Sequence, residues 1–251
     1  MTVKATKTRK VTAGSGSLEQ LLDESLGELE DSSIVVITSK VVSLCEKRVA
    51  RTAGTDKEEL IKSESDLYLP KASSKYSHHF TILRNTLVAS AGIDESNAGD
   101  NYALWPLDPQ LSANKARAHL AQKFGLKNIG VIITDSVSSP LRFGTRGTAI
   151  AYTGFAAMHD YRGELDLFGY EFRLEQANIA EGLASAAVVV MGEGAEQTPL
   201  AIITNTPFVR FQDHNPTEKE LKKFHVERIE NDLFEPFLRQ PGWRKGGHRQ
   251  D

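Results

Sequence analysis

The sequence predicts an α+β fold in which mixed β-sheets pack against helices, and three observations carry that prediction. Short apolar runs suited to buried strands occur at Ile34-Val-Val-Ile37, Thr86-Leu-Val-Ala-Ser-Ala91, Ile129-Gly-Val-Ile-Ile133 and Leu200-Ala-Ile-Ile203. Between them, apolar residues recur at helical spacing. The two kinds of segment alternate without the regular βαβ period of a doubly wound parallel sheet, so mixed strand pairing fits better.

The elements follow in order. Ser17-Leu-Glu-Gln20 has the form of a capping box, and Leu18, Leu21, Leu22, Leu26 and Leu29 continue it as an amphipathic helix until Asp31-Ser32-Ser33. The Ile34–Ile37 strand then places Ser39 and Lys40 at its C-terminal end. Lys57 to Lys62 reads as a short surface helix stopped before Pro70. The strands Thr86–Ala91 and Ile129–Ile133 each run into an aspartate in a polar turn, Asp94 and Asp135. Between them Ala113, Ala116, Leu120 and Phe124 share one helical face, and Gly125 is placed to end that helix in a left-handed conformation. A second helix from Glu175 to about Val188 carries Ala180, Leu183, Ala184 and Ala187 on one stripe, whose small residues imply close packing. The glycine-bearing loop Met191-Gly-Glu-Gly-Ala-Glu-Gln-Thr-Pro199 leads to the last core strand. After Pro207 the composition changes, with a charged helix expected over Glu218 to Glu230 and an irregular tail beyond.

Composition narrows the function classes. Hydrophobic residues at 40% and charged residues at 25% are ordinary for a soluble globular protein, and 251 residues suffice for one large domain or two small ones. No segment approaches the roughly 18 consecutive apolar residues of a membrane span. The basic N-terminus lacks the apolar stretch of a secretory signal, so a cytoplasmic location is expected. The lone Cys45 reads as a buried small residue. A formal charge of −3 gives no long-range attraction for nucleic acid, and the basic C-terminal run reads as a solvated end. His78 and His79, adjacent on a strand, would point to opposite faces and so not share a metal.

Three acidic positions carry the chemical signal: Asp94, Asp135 and Glu193. Carboxylates at strand ends can converge on one sheet edge and hold magnesium through one or two protein oxygens each, with phosphate and water completing the shell. The alternative is that the two aspartates merely form Asx-turns. Gly192-Glu-Gly194 can bring backbone N–H groups to phosphates and Lys40 can neutralise one, although neither a P-loop nor a Rossmann fingerprint is present. Arg142 and Arg146, set among Gly144 and Gly147, form a second loop able to grip an anionic substrate or to stand solvated as a surface turn.

Taken together these segments resemble the coenzyme F420-0:L-glutamate ligase family from about Val35 to Ile203. The ordered blocks are Val36-Ile-Thr-Ser39-Lys-Val-Val-Ser43, Ala91-Gly-Ile-Asp94-Glu-Ser-Asn97, Leu107-Asp-Pro109, Val131-Ile-Ile-Thr-Asp135-Ser136, Asp166-Leu-Phe-Gly169-Tyr-Glu171 and Met191-Gly-Glu-Gly194. The resemblance implies a ligase that uses GTP and two divalent cations, magnesium or manganese, to join L-glutamate to a cofactor carboxylate through an acyl phosphate. It implies metal roles for Asp94, Asp135, Ser136 and Glu193. It likewise implies nucleotide contacts from Ser39, Lys40, Asn97 and the loop Met191, Gly192, Glu193, Gly194, Ala195, Glu196, Gln197 and Thr198. Arg142 is the candidate for charge stabilisation and, with Arg146, for substrate binding. The family architecture further implies an intertwined homodimer, with residues 1–206 as the catalytic domain and 207–251 as a helical extension and tail.

The sequence departs from the family's usual basic residues at Leu44, Ser139 and Tyr170. This leaves two other readings open: a folate-type acceptor in place of the deazaflavin, and a GTP-binding regulatory dimer without turnover.

Overall fold

The computed structural model describes residues 1–248. In chain order the first half holds β1 (Thr2–Thr6), α1 (Leu18–Ser25), β2 (Ser33–Thr38), α2 (Ser39–Cys45), β3 (Val49–Arg51), α3 (Lys57–Glu64), β4 (Leu67–Tyr68), β5 (Phe80–Leu83), β6 (Thr86–Ala89) and β7 (Asn101–Ala103). The second half holds α4 (Pro109–Phe124), β8 (Ile129–Ser138), β9 (Thr145–Thr153), β10 (Met158–Asp160), β11 (Gln176–Asn178), α5 (Ile179–Met191), β12 (Leu200–Thr204), α6 (Glu218–Phe224), α7 (Glu235–Leu238) and β13 (Arg244–Lys245).

The architecture is α+β with mixed pairing. The main sheet has the order β1-β12-β2-β8-β9, with β2 and β8 parallel and the other pairs antiparallel. Val35, Ile37, Val131 and Ile133 point into one core with Leu21, Leu22, Val41, Ala113, Ala116 and Leu120. Ile34, Val36 and Ile132 point into the other, against Ala180, Leu183, Ala184 and Ala187 of α5. Burial on both faces explains why these strands read as unbroken apolar runs rather than as alternating ones. Leu120 is fully buried between α4 and the sheet. Leu120→Ala is therefore expected to cost about 2–5 kcal/mol, measured by denaturant unfolding.

Local signals account for several boundaries. Asp108 accepts from the Leu111 N–H at 2.8 Å and Pro109 occupies the first turn of α4, while Gly125 (φ 63°) ends it. Asn178 caps α5 by accepting from Glu181 N–H at 3.1 Å. That helix starts at Ile179 rather than Glu175 because residues 176–178 pair with β10 as a strand. The small residues of α5 do bring it close: a Cβ on Gly147 of β9 would lie 2.5 Å from the Ala184 carbonyl oxygen. At Ser17 only half of the expected box forms, since Ser17 accepts from Gln20 N–H but the Gln20 side chain turns to Glu24. α1 stops at Ser25, short of Leu29, and α6 stops at Phe224, short of Glu230.

Two departures matter for the site. Thr86–Ala91 does not enter the main sheet: β6 ends at Ala89 and belongs to a second sheet, β13-β4-β5-β6, after which Ser90, Ala91 and Gly92 turn with φ of 54°, 54° and 67°. Asp135 is not in a turn but inside β8, opposite Thr148 and just past a bulge between Ile133 and Thr134. Polar residues are tolerated there because that end of β8 opens on a cavity.

Elsewhere, Cys45 is half-buried and its thiol is pushed up to about 11 by burial, as expected of an inert residue. His79 is buried with Nδ1 at 3.0 Å from the Leu69 carbonyl, while His78 is exposed. Residues 246 and 247 return to donate to the Asp66 and Lys62 carbonyls, so the C-terminal segment docks beside α3. Among the described residues no helix is long and apolar enough to cross a membrane.

Candidate active site

A cavity of about 1260 Å³ is walled by the C-terminal ends of β2 and β8, the start of α2, the β5–β6 hairpin, residues 92–99 and the loop after α5. It gathers most of the acidic and glycine-rich positions onto one surface.

Thr38 ends β2 in an extended conformation and α2 starts directly after it, so Ser39 and Lys40 project from the first turn of a helix packed on the sheet. The Lys40 ammonium lies 2.7 Å from Asp94 Oδ2 and 3.0 Å from Ser96 Oγ. Asp94 also accepts from the Ser96 N–H at 2.7 Å, so it makes the Asx-turn and faces the cavity at once. Burial opposes its ionisation, but Lys40 and Ser96 outweigh burial and hold the Asp94 carboxyl below the usual range.

Asp135 behaves oppositely. Burial, aided by the charge of Asp94, pushes its carboxyl up, against hydrogen bonds from the Trp105 indole N–H, the Ser136 backbone and Ser39. Trp105 reaches it only because residue 92 is glycine: a Cβ there would lie 2.1 Å from the indole nitrogen.

The remaining carboxylate is held from the other side. Ser136 Oγ lies 2.8 Å from both Glu193 oxygens, and Thr145 Oγ1 donates to Glu193 at 3.3 Å. The glycine loop is tied down by Asn97, whose side-chain N–H donates to the Gly194 carbonyl at 3.0 Å, and by Gln197, which donates to the Thr8 carbonyl at 2.7 Å. Thr198 donates to the Met191 carbonyl at 2.6 Å. Within the loop, the Gly194 N–H is 2.8 Å from a Glu196 carboxylate oxygen, so an anionic oxygen already sits at a backbone donor of the kind that binds phosphate. Ala195 completes this wall.

A model of the F420-0:gamma-glutamyl ligase family matches residues 6–205. The chain belongs to that family. It is similar to proteins named coenzyme F420:L-glutamate ligase from Methanococcus maripaludis (strain C7), at 34% identity over 88% of this chain and 92% of that one, and from Methanocaldococcus jannaschii, at 35% over 72% and 79%. A relative of the same name from Halobacterium salinarum is 29% identical over 88% and 89%.

In this gamma-glutamyl ligase family member the two loop arginines part company. Arg142 lines the cavity, with its guanidinium donating to its own neighbour's carbonyl, that of Leu141. Arg146 lies in β9 outside the cavity lining and donates to Ser139 Oγ at 3.1 Å and Glu181 at 3.0 Å. Of the three positions where the resemblance implies a basic residue, Leu44 and Ser139 line the cavity, Leu44 buried, and Tyr170 stands exposed on the arm between β10 and β11.

The acidic groups do not form a cluster by themselves: among the described residues no three His, Cys, Asp or Glu side chains are grouped to hold a metal ion. The donor set nevertheless fits a hard cation shared with a phosphate. Asp94 and Asp135 are close enough for one charge to raise the other, the Lys40 ammonium already takes a cation's place on Asp94, and magnesium commonly needs only one or two protein carboxylates.

No motif in the sequence marks Trp105, Gly92 or, in the hairpin wall, Phe80 as part of this site. A glycine two residues before an aspartate was the only local trace of the first pair.

Proposed function

We propose that this chain joins L-glutamate through an amide bond to a carboxylate on coenzyme F420 or a related acceptor such as a folate, driven by GTP and two divalent cations. The observation that carries the proposal is the convergence of Asp94, Asp135, Ser39, Lys40 and the Met191–Thr198 loop on one cavity in a member of the gamma-glutamyl ligase family. The relatives' names supply the glutamate and the coenzyme.

Amide formation from a carboxylate is uphill in water, so the acceptor must be activated first. An acceptor carboxylate oxygen attacks the γ-phosphorus of GTP, the bond to the bridging oxygen breaks, and GDP leaves. The acyl phosphate then receives the glutamate amine at its carbonyl carbon, losing phosphate and the amine's proton. Divalent cations, held by Asp94, Asp135, Ser136 and Glu193, would neutralise the triphosphate's charge. The chain's own residues position the reactants. Lys40 can exchange its hold on Asp94 for a phosphate oxygen, Asn97 fixes the glycine loop that meets the nucleotide, and Arg142 presents a fork suited to a carboxylate.

The homodimer is part of the same proposal. Leu165, Leu167, Phe168 and Leu174 of the arm between β10 and β11 are all well exposed, an apolar area of the kind that a second copy covers. Sedimentation should give a dimer.

Incubation with GTP, Mn²⁺, L-glutamate and either a deazaflavin or a folate carboxylate is expected to release GDP in step with a glutamylated product, only when the right acceptor is present. Tight GTP binding with no GDP from any acceptor would instead favour the regulatory dimer.

A further inference from the structure

The β5–β6 hairpin turns an apolar face into the cavity. Thr81, Leu83 and Val88 point inward and are buried, so the alternating positions Phe80, Ile82, Leu87 and Ala89 point outward, where an antiparallel sheet with a solvated face would carry polar residues. Phe80, Leu87 and Ala89 line the cavity, while Ile82 lies beyond it, opposite Leu87. Phe80 pairs with Ala89, which leaves the flank of its ring uncovered, and Leu87 is its diagonal neighbour on the same face. Tyr76, on the preceding loop, extends the surface, and His78 supplies a polar edge.

Resting on the ligase reading, we infer that this face is the platform on which the acceptor's planar heteroaromatic ring stacks. The cavity, at about 1260 Å³, exceeds the roughly 300–1,000 Å³ usual for one small ligand, so it has room for a nucleotide and a second ring. The polar glycine-loop wall suits the hydrogen-bonding edge of a purine, whereas this wall offers apolar area and an aromatic face. Phe80 and Leu87 are 42% and 41% exposed, recessed in comparison with Leu167 at 99% on the arm assigned to the second copy.

The probe is 5-deazariboflavin, a ring without carboxylate or phosphate, titrated by its fluorescence. Phe80→Gln and Leu87→Gln are each expected to raise its Kd about tenfold, and Phe80→Trp to keep it near the parent value, with Kd for Mn²⁺–GTP changed less than about twofold in all three. Should Phe80→Gln fail to fold by circular dichroism, Leu87→Gln alone carries the comparison. The platform is overturned if the parent does not bind the ring, if the Gln variants bind it unchanged, if Mn²⁺–GTP affinity falls equally, or if only dimer dissociation responds. Because the ring titration uses neither GTP nor turnover, a chain that binds the ring here yet releases no GDP and makes no glutamylated product with any carboxylate-bearing acceptor would refute the ligase reading and leave the platform standing.

Discussion

Asp135→Asn is expected to give a protein that is more heat-stable than the parent when metal-free, yet has lost metal-dependent GTP binding. The carboxyl of Asp135 is pushed up by burial and by the charge of Asp94. For an acid raised in the folded state, the favourable contribution is fully present below the unfolded value and is lost as pH rises through the folded one. Above the unfolded value the folded parent is therefore penalised at this carboxyl, either for holding the charge or for taking up a proton. Asparagine removes the charge, and its side-chain oxygen can still accept from the Trp105 indole. Each kcal/mol recovered should raise Tm by about 2–4 °C for a chain of this size, and the gap from the parent should close as pH falls and the parent protonates. Affinity for Mn²⁺–GTP should drop at least about a hundredfold, or ~2.7 kcal/mol. Differential scanning calorimetry across pH and isothermal titration separate the two effects. Unchanged nucleotide affinity would remove Asp135 from the site, and a lower Tm would show that its charge carries no penalty.

The same residue shows what sequence can and cannot reveal. The runs at 34–37, 129–133 and 200–203 were legible as core strands because burial on both faces leaves no alternation to misread. The helix ending at Gly125 was legible because its face and its left-handed terminus are both local properties. Asp135, by contrast, looked like a turn residue after an apolar run, and only pairing with β9 across a bulge keeps it in a strand. Thr86–Ala89 has the composition of a core strand, yet it was claimed by β5, whose Thr81 hydroxyl bonds both Val88 and the Ala91 N–H. The two arginines of one loop were indistinguishable by spacing. Register separates them: Arg146 is opposite Val137 in the ladder and meets Glu181 of α5, while Arg142 remains in the cavity wall. The tie between Asn97 and Gly194 joins residues far apart in the chain, and no local signal encodes it.

Gly92→Ala is expected to be among the most damaging single methyl additions to this chain, at about 2–4 kcal/mol. Two costs combine. Gly92 has φ of +67°, where a Cβ is disfavoured by roughly 1–2 kcal/mol, and the new methyl would lie 2.1 Å from Trp105 Nε1. Trp105 cannot yield cheaply, since it is 5% exposed and its N–H is committed to Asp135. Gly99 provides the control: its φ of +65° is nearly the same, but nothing lies within 4 Å of the position a Cβ would take. Gly99→Ala should therefore cost only the backbone part, and the difference between the two variants reports the clash with the indole. A double-mutant cycle isolates that clash further, because in a Trp105→Ala background the cost of Gly92→Ala should fall to the level seen at Gly99. Denaturant unfolding of the five proteins, the four of the cycle and Gly99→Ala, gives every term. Equal costs at positions 92 and 99, or no coupling between Gly92 and Trp105, would show that the glycine serves the turn alone and that the indole's approach to Asp135 does not depend on it.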